Sequence, residues 1–233
     1  MAPIFIFLIH KFIIIHLKLF IMFLKDELPI LGILRGISKN HIDPLIAIFS
    51  KSGIRSIEVT MNTVGAVSLI KDIIDRAGDK FNVGAGTVLD QKDMKDALDA
   101  GARFIVSPSI VEDVIAECVK KKIPVFPGAL SPTEVHKAWN MGATMVKLFP
   151  CGIYGPGYIR ALKGPFENIK IMAVGGVNEQ NISLFFKQGA DAVAFGAGIL
   201  KSEWLDNNRF DLIEEKLHLL IKSYRSSKNE SSH

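Results

Sequence analysis

From residue 28 onward the chain repeats one pattern eight times: a short apolar run, a turn rich in glycine or proline, then a longer stretch of helical periodicity. The runs are Ile30–Leu34, Ile54–Val59, Phe81–Val83, Arg103–Val106, Ile123–Phe126, Thr144–Phe149, Lys170–Val174 and Asp191–Phe195. Helix signals fall between them. Asp90 and Asn178 stand as caps, and Ser131-Pro132-Thr133-Glu134 joins a serine cap, a first-turn proline and a glutamate that completes a capping box. The first helix has two possible starts, Ser38 or Asp43 with Pro44 behind it, and the last covers Asp211–Tyr224. Strands that alternate with helices in this way run parallel, because each return crosses the sheet through a helix. The helix-ending glycines Gly53, Gly101, Gly142 and Gly189 are 48, 41 and 47 residues apart, a weak repeat of two units. Eight units in about 205 residues fit a compact single-domain α/β fold, the (β/α)8 TIM barrel. A doubly wound open sheet is the alternative, but no Gly-x-Gly-x-x-Gly turn follows the first run, where a dinucleotide fold needs one.

Residues 1–25 stand apart from this pattern. They are dominated by Phe, Ile and Leu, and hold Lys11, Lys18 and Lys25 but no acid. A membrane span is interrupted by Lys11 and Lys18. An interfacial helix would place the three lysines, seven residues apart, along one face. A start assigned too far upstream is the reading adopted here, with Met22 as a later in-frame start and the interfacial helix second. Membrane contact is expected only if this segment is genuine. The domain is therefore set at 26–225, followed by a disordered tail at 226–233.

The leader also carries most of the net charge of +4, since 26–233 hold 25 Lys and Arg against 24 Asp and Glu. No basic face argues for nucleic acid. Two cysteines, Cys118 and Cys151, give neither a disulfide scaffold nor a zinc cluster, and fit a reducing cytoplasm.

In a barrel the C-terminal ends of the strands meet at one mouth. Here they supply Arg35, Glu58, Thr87, Pro108, Pro127, Lys147, Gly175-Gly176 and Gly196-Ala197-Gly198. Glycine turns after the last two strands are where such barrels often hold phosphate on backbone N–H groups. Lys147 has two readings. Its stem can lie on apolar surface with the head in water, or it can be an amine with a lowered pKa that attacks a carbonyl carbon. Glu58 is then either half of a buried ion pair or the group that moves protons for a Schiff base. A metal route is poorly supplied: His41, His136 and His218 fall in helical stretches and His233 in the tail, although carboxylate-bound magnesium stays open. Cys151, with no histidine on a neighbouring strand end, reads as a small apolar filler rather than a nucleophile.

Taken together, Ile33-Leu34-Arg35-Gly36-Ile37, Ile57-Glu58-Val59-Thr60, Gly84-Ala85-Gly86-Thr87-Val88-Leu89, Lys147-Leu148-Phe149-Pro150, Ala173-Val174-Gly175-Gly176-Val177 and the Gly196 turn resemble the 2-keto-3-deoxy-6-phosphogluconate and 2-keto-3-deoxy-6-phosphogalactonate aldolases. That group includes 4-hydroxy-2-oxoglutarate aldolase activity, and the likeness covers about residues 28–225. It implies a homotrimeric class I aldolase that needs no metal or cofactor. Lys147 would form the Schiff base with pyruvate and Glu58 would be the general acid and base, through a water. Thr87 would hold the carboxylate or imine region. Gly175, Gly176, Gly196 and Ala197 would hold the phosphate.

The likeness has departures. Asn62 stands where the phosphogluconate type carries a carboxylate-binding arginine, and Arg35 resembles the substitute used by the phosphogalactonate type. Val174 in place of threonine points the same way, whereas Thr60 is the phosphogluconate residue. Ala197 replaces a common serine, so one hydroxyl donor to phosphate is lost. Two other functions stay on the table. One is a phosphosugar isomerase or epimerase on the same barrel, which needs no imine. The other is a membrane-bound binding protein that has lost catalysis, which requires the leader to be real.

Overall fold

The computed structural model describes residues 28–230, so the leader at 1–25 and the last three residues of the tail lie outside the described residues. The eight apolar runs become nine strands: β1 Ile30–Leu34, β2 Ser56–Thr60, β3 Asn82–Gly86, β4 Ile105–Val106, β5 Val125–Phe126, β6 Gly128–Ala129, β7 Val146–Leu148, β8 Ile171–Val174 and β9 Ala192–Phe195. Every pairing is parallel, and the order is β5-β4-β3-β2-β1-β9-β8-β7-β6. The two ends of this sheet are consecutive in the chain. The fifth run does not stop at Phe126, as the sequence suggested, but resumes after Pro127. Proline has no N–H to give the ladder, so the strand is broken there for one residue. Its carbonyl still accepts the Lys147 N–H at 2.9 Å, while Val125 O accepts the Thr144 N–H at 2.9 Å. Both halves therefore bond toward β7, and the sheet closes into the expected eight-unit barrel.

The helices are α1 Ile42–Ser52, α2 Ala66–Ala77, α3 Gln91–Asp99, α4 Glu112–Lys121, α5 Pro132–Asn140, α6 Gly157–Lys163, α7 Ile182–Lys187, α8 Ser202–Asp206 and α9 Phe210–Glu230. Asp90 caps α3 by accepting the Asp93 N–H at 2.8 Å. Glu134 accepts the Ser131 N–H at 2.7 Å and closes the capping box of α5. Ser38 opens a 3-10 turn, Lys39–His41, that leads straight into α1, which settles the uncertain start. Asn178 does not cap α7. It folds an Asx turn on Gln180 N and Asn181 N, and the helix begins four residues on. The short α8 was not anticipated.

Of the tail placed at 226–233, residues 226–230 are helical and continue α9. Serines there bond back to the preceding turn instead of fraying it. Ser226 Oγ donates to Lys222 O at 3.0 Å and Ser227 Oγ to Tyr224 O at 2.7 Å, and Lys228 Nζ lies 5.3 Å from the Tyr224 ring centroid.

Strand alternation sorts the core into two layers. Leu31, Phe104, Val106, Phe126, Met145, Met172, Val174, Ala192 and Ala194 fill the barrel interior, with Ile33 packed against them. The remaining apolar strand residues meet the helices. Some strand positions are glycine because neighbours occupy the space, Gly84 of β3 and Gly128 of β6 among them. A Cβ on Gly84 would lie 2.3 Å from the Phe104 ring. At the barrel closure, a Cβ on Gly128 would lie 2.1 Å from the Pro108 carbonyl oxygen, a backbone atom that cannot step aside. Gly128→Ala is expected to cost about 1–3 kcal/mol or more of stability. Gly157→Ala, where nothing lies within 4 Å, is expected to be neutral or stabilising. Urea midpoints of the two variants against the parent check this.

Candidate active site

The residues singled out from the sequence sit within a strand near its C-terminal end or just past it. Glu58 is the middle residue of β2 and Lys147 that of β7. Arg35 follows β1, Thr87 follows β3, Gly175-Gly176 follow β8, and Gly196-Ala197 follow β9. Because all strands are parallel and the sheet closes, these positions share one mouth.

Lys147 does not snorkel: it is 5% exposed, and Glu58 is 1% exposed. Burial pushes the Lys147 amine below its ordinary value of 10.5; Glu58 opposes that shift and Arg35 reinforces it. Burial also pushes the Glu58 carboxyl above its ordinary value, against the pull of Lys147 and Arg35. Both groups are thus biased toward their neutral forms. A closed structural ion pair would satisfy the carboxylate, yet Glu58 Oε2 is buried with no hydrogen-bond partner. A buried acceptor left without a partner beside a buried amine marks a group kept for chemistry rather than for structure.

The surroundings explain how Glu58 fits. Its Oε1 lies 2.3 Å from where a Cβ on Gly86 would be, so only glycine at the end of β3 leaves room for the carboxyl. The next residue, Thr87, holds φ at 54°, a left-handed value that is a genuine outlier for a β-branched side chain. Strain of this kind persists where the surroundings over-determine the backbone, and here it sets a half-buried hydroxyl-bearing residue at the mouth.

On the other side, Lys147 Nζ stands 5.1 Å from the centroid of the Phe149 ring. That ring also packs under Gly175, where a Cβ would meet it at 3.3 Å. Gly175 and Gly176 both have positive φ, 92° and 80°. Their carbonyls are held from behind: Cys151 Sγ donates to Gly175 O at 3.2 Å and Asn181 Nδ2 to Gly176 O at 2.7 Å. Gly152 lies against the same turn, with its Cβ position 2.9 Å from Gly175 O. Cys151 is fully buried and its thiol is pushed up to about 12 by burial, so it is a packing residue with one weak hydrogen bond. The turn after β9 leaves Ala197 exposed, and Gly198 approaches Val177 beside the Gly175-Gly176 turn.

Gly86, Gly152, Asn181 and Thr63 were not recognised as part of this site from the sequence. Gly86 meets Glu58, Gly152 meets Gly175 and Thr63 meets Gly36 across separate segments, and Asn181 bonds back to Gly176 only once the intervening turn has folded, none of which spacing alone reveals. Among the described residues no group of three or more His, Cys, Asp or Glu is placed to hold a metal.

A closed parallel barrel that buries an amine and an unpaired carboxyl at one mouth has the parts of a carbon–carbon lyase acting on a carbonyl compound. The comparisons agree. The model of the KDPG and KHG aldolases matches residues 22–216, and the chain belongs to that family. It is similar to the 2-dehydro-3-deoxy-6-phosphogalactonate aldolase of Escherichia coli K12, at 32% identity over 204 residues covering 87% of this chain and 98% of the relative. A solved native KDPGal structure superposes with a TM-score of 0.81 at 29% identity, over 87% of this chain and 97% of that one. The KDPG aldolase of Legionella pneumophila, solved with pyruvate captured as a covalent carbinolamine, superposes with a TM-score of 0.77 at 27% identity, over 87% and 96% of the two chains.

The lowered amine can be tested directly. In competitive labelling with acetic anhydride across pH, Lys147 is expected to reach half-maximal reactivity below 10.5. In Glu58→Gln the midpoint falls further, because the carboxylate is what favours the ammonium. A midpoint at or above the ordinary lysine value would contradict the burial argument.

Proposed function

We propose that this aldolase works through a Schiff base on Lys147 and cleaves a 2-keto-3-deoxy-6-phospho sugar acid to pyruvate and glyceraldehyde 3-phosphate. The observation that carries this reading is the pairing of a buried amine biased toward neutrality with a buried carboxyl whose Oε2 has no partner. Neutral Lys147 attacks the C2 ketone. The carbinolamine loses water to give a protonated imine. The C4 hydroxyl then gives up its proton, the C3–C4 bond breaks, and the electron pair moves into the imine to form an enamine. Protonation at C3 and hydrolysis release pyruvate and free the amine. Glu58 moves these protons, through a water where its reach requires one.

Arg35 takes the substrate carboxylate and Thr87 the carboxylate or imine region. The N–H groups of the Gly175-Gly176 and Gly196-Ala197 turns take the phosphate. Arg35 and Val174, with Asn62 in the turn after β2, favour the phosphogalactonate series. Cleavage of 4-hydroxy-2-oxoglutarate to pyruvate and glyoxylate is a lesser activity on this reading. A homotrimer working in the cytoplasm belongs to the same proposal. The homotrimer is supported by the apolar side chains that Val64, Ile153 and Tyr154 expose in the segments following β2 and β7.

Pyruvate release is expected with a higher kcat/KM for the galactonate phosphate than for the gluconate phosphate or 4-hydroxy-2-oxoglutarate. Glu58→Gln should lower kcat about 10²–10⁴-fold, and Lys147→Ala should abolish release. Equal turnover by Lys147→Ala would remove the Schiff-base reading.

A further inference from the structure

We propose that Thr63 is a positioning residue that fixes Arg35 over the mouth by tying the turn after β1 to the end of β2. Little else holds that turn. Arg35 is exposed, and Gly36 behind it is left-handed, with φ 67°, and has nothing within 4 Å of its Cβ position. The chain is anchored on either side by buried Leu34 and Ile37, but the Arg35-Gly36 corner itself is unpacked. Its link to the rest of the mouth is a hydrogen bond from Gly36 N–H to Thr63 Oγ1 at 3.0 Å, across 27 residues of sequence.

Thr63 is in turn rigidly placed. Its hydroxyl shares a buried hydrogen bond of 2.9 Å with Thr60 Oγ1, its N–H donates to Thr60 O at 2.9 Å, and its carbonyl accepts from Ala66 N at 3.0 Å. Thr60 is the last residue of β2, two positions beyond Glu58 on the same face, and is fully buried. One chain of hydroxyls therefore connects the strand that carries the carboxyl to the corner that carries the cation. The charge of Arg35 acts on both Glu58 and Lys147, so where the corner sits decides how that cation acts on the pair and on an anionic group entering the mouth. A long exposed arginine on an untied corner would lose part of its advantage to side-chain and backbone entropy.

This role rests on the aldolase reading for its kinetic consequence but not for its structural one. Thr63→Val keeps the shape and removes the hydroxyl, leaving the Gly36 N–H without its partner. It is expected to raise KM about 3- to 10-fold, the worth of one hydrogen bond, with a smaller change in kcat. Thr63→Ser should restore the parent value. In an Arg35→Met background Thr63→Val should change KM no further, because the group it positions is gone. Lys147 labelling by acetic anhydride gives a readout that needs no turnover. Its midpoint should rise in Thr63→Val as it does in Arg35→Met, and the two shifts should not add.

A purely structural staple would instead lower the urea midpoint equally in both backgrounds and leave the Lys147 midpoint in place. That result, or failure of serine to rescue, would overturn the proposal. If the parent releases no pyruvate, the aldolase reading falls, and the labelling series still decides the role of Thr63.

Discussion

The site depends on burying an amine and a carboxyl together without letting them close on each other. A satisfied ion pair would hold both groups charged and idle. Full separation would leave two isolated buried charges, which proteins avoid by neutralising them. Here burial dominates both groups, their mutual attraction only moderates it, and Glu58 keeps an unpartnered oxygen. The proposed mechanism draws on that balance, with Lys147 attacking as a neutral amine and Glu58 passing the protons.

The scaffold is arranged to permit this. Glycine at position 86 makes the space for the Glu58 carboxyl, and glycine at 128 lets the Pro108 backbone come close where the barrel closes. The break at Pro127 leaves its carbonyl to accept from the Lys147 N–H, so the point of closure and the strand bearing the amine are joined. The phosphate-type turn after β8 is built from two left-handed glycines whose carbonyls are tied back by Cys151 and Asn181. Each of these features is local, and each is silent until the sheet curls round and brings distant segments together.

That is also why the sequence was legible in part. Alternating runs and cap residues such as Asp90 and Ser131 are written over a few neighbouring positions, so the barrel and most of its helices could be read directly. Lys147 and Glu58 stood out because charged residues are unusual in apolar strands, and the two glycine turns because they follow the last two strands. Strand limits were less visible: Arg103 and Phe104 continue an apolar run but lie outside β4, whose pairing begins at Ile105. The serines near the C-terminus read as a frayed tail, whereas their hydroxyls bond to the helix that contains them. Gly86 entered only as part of the motif around Thr87, and Thr63 was not singled out. Only contacts across the mouth separate these residues from their bland equivalents.

The proposed mechanism turns on Lys147. The most direct test is to incubate the protein with pyruvate and borohydride and map the product by peptide mass spectrometry. One reduced pyruvate adduct is expected, on the peptide containing Lys147, and none on that peptide in Lys147→Ala. An unmodified parent protein, or an adduct that persists elsewhere at the same level in the variant, would contradict it.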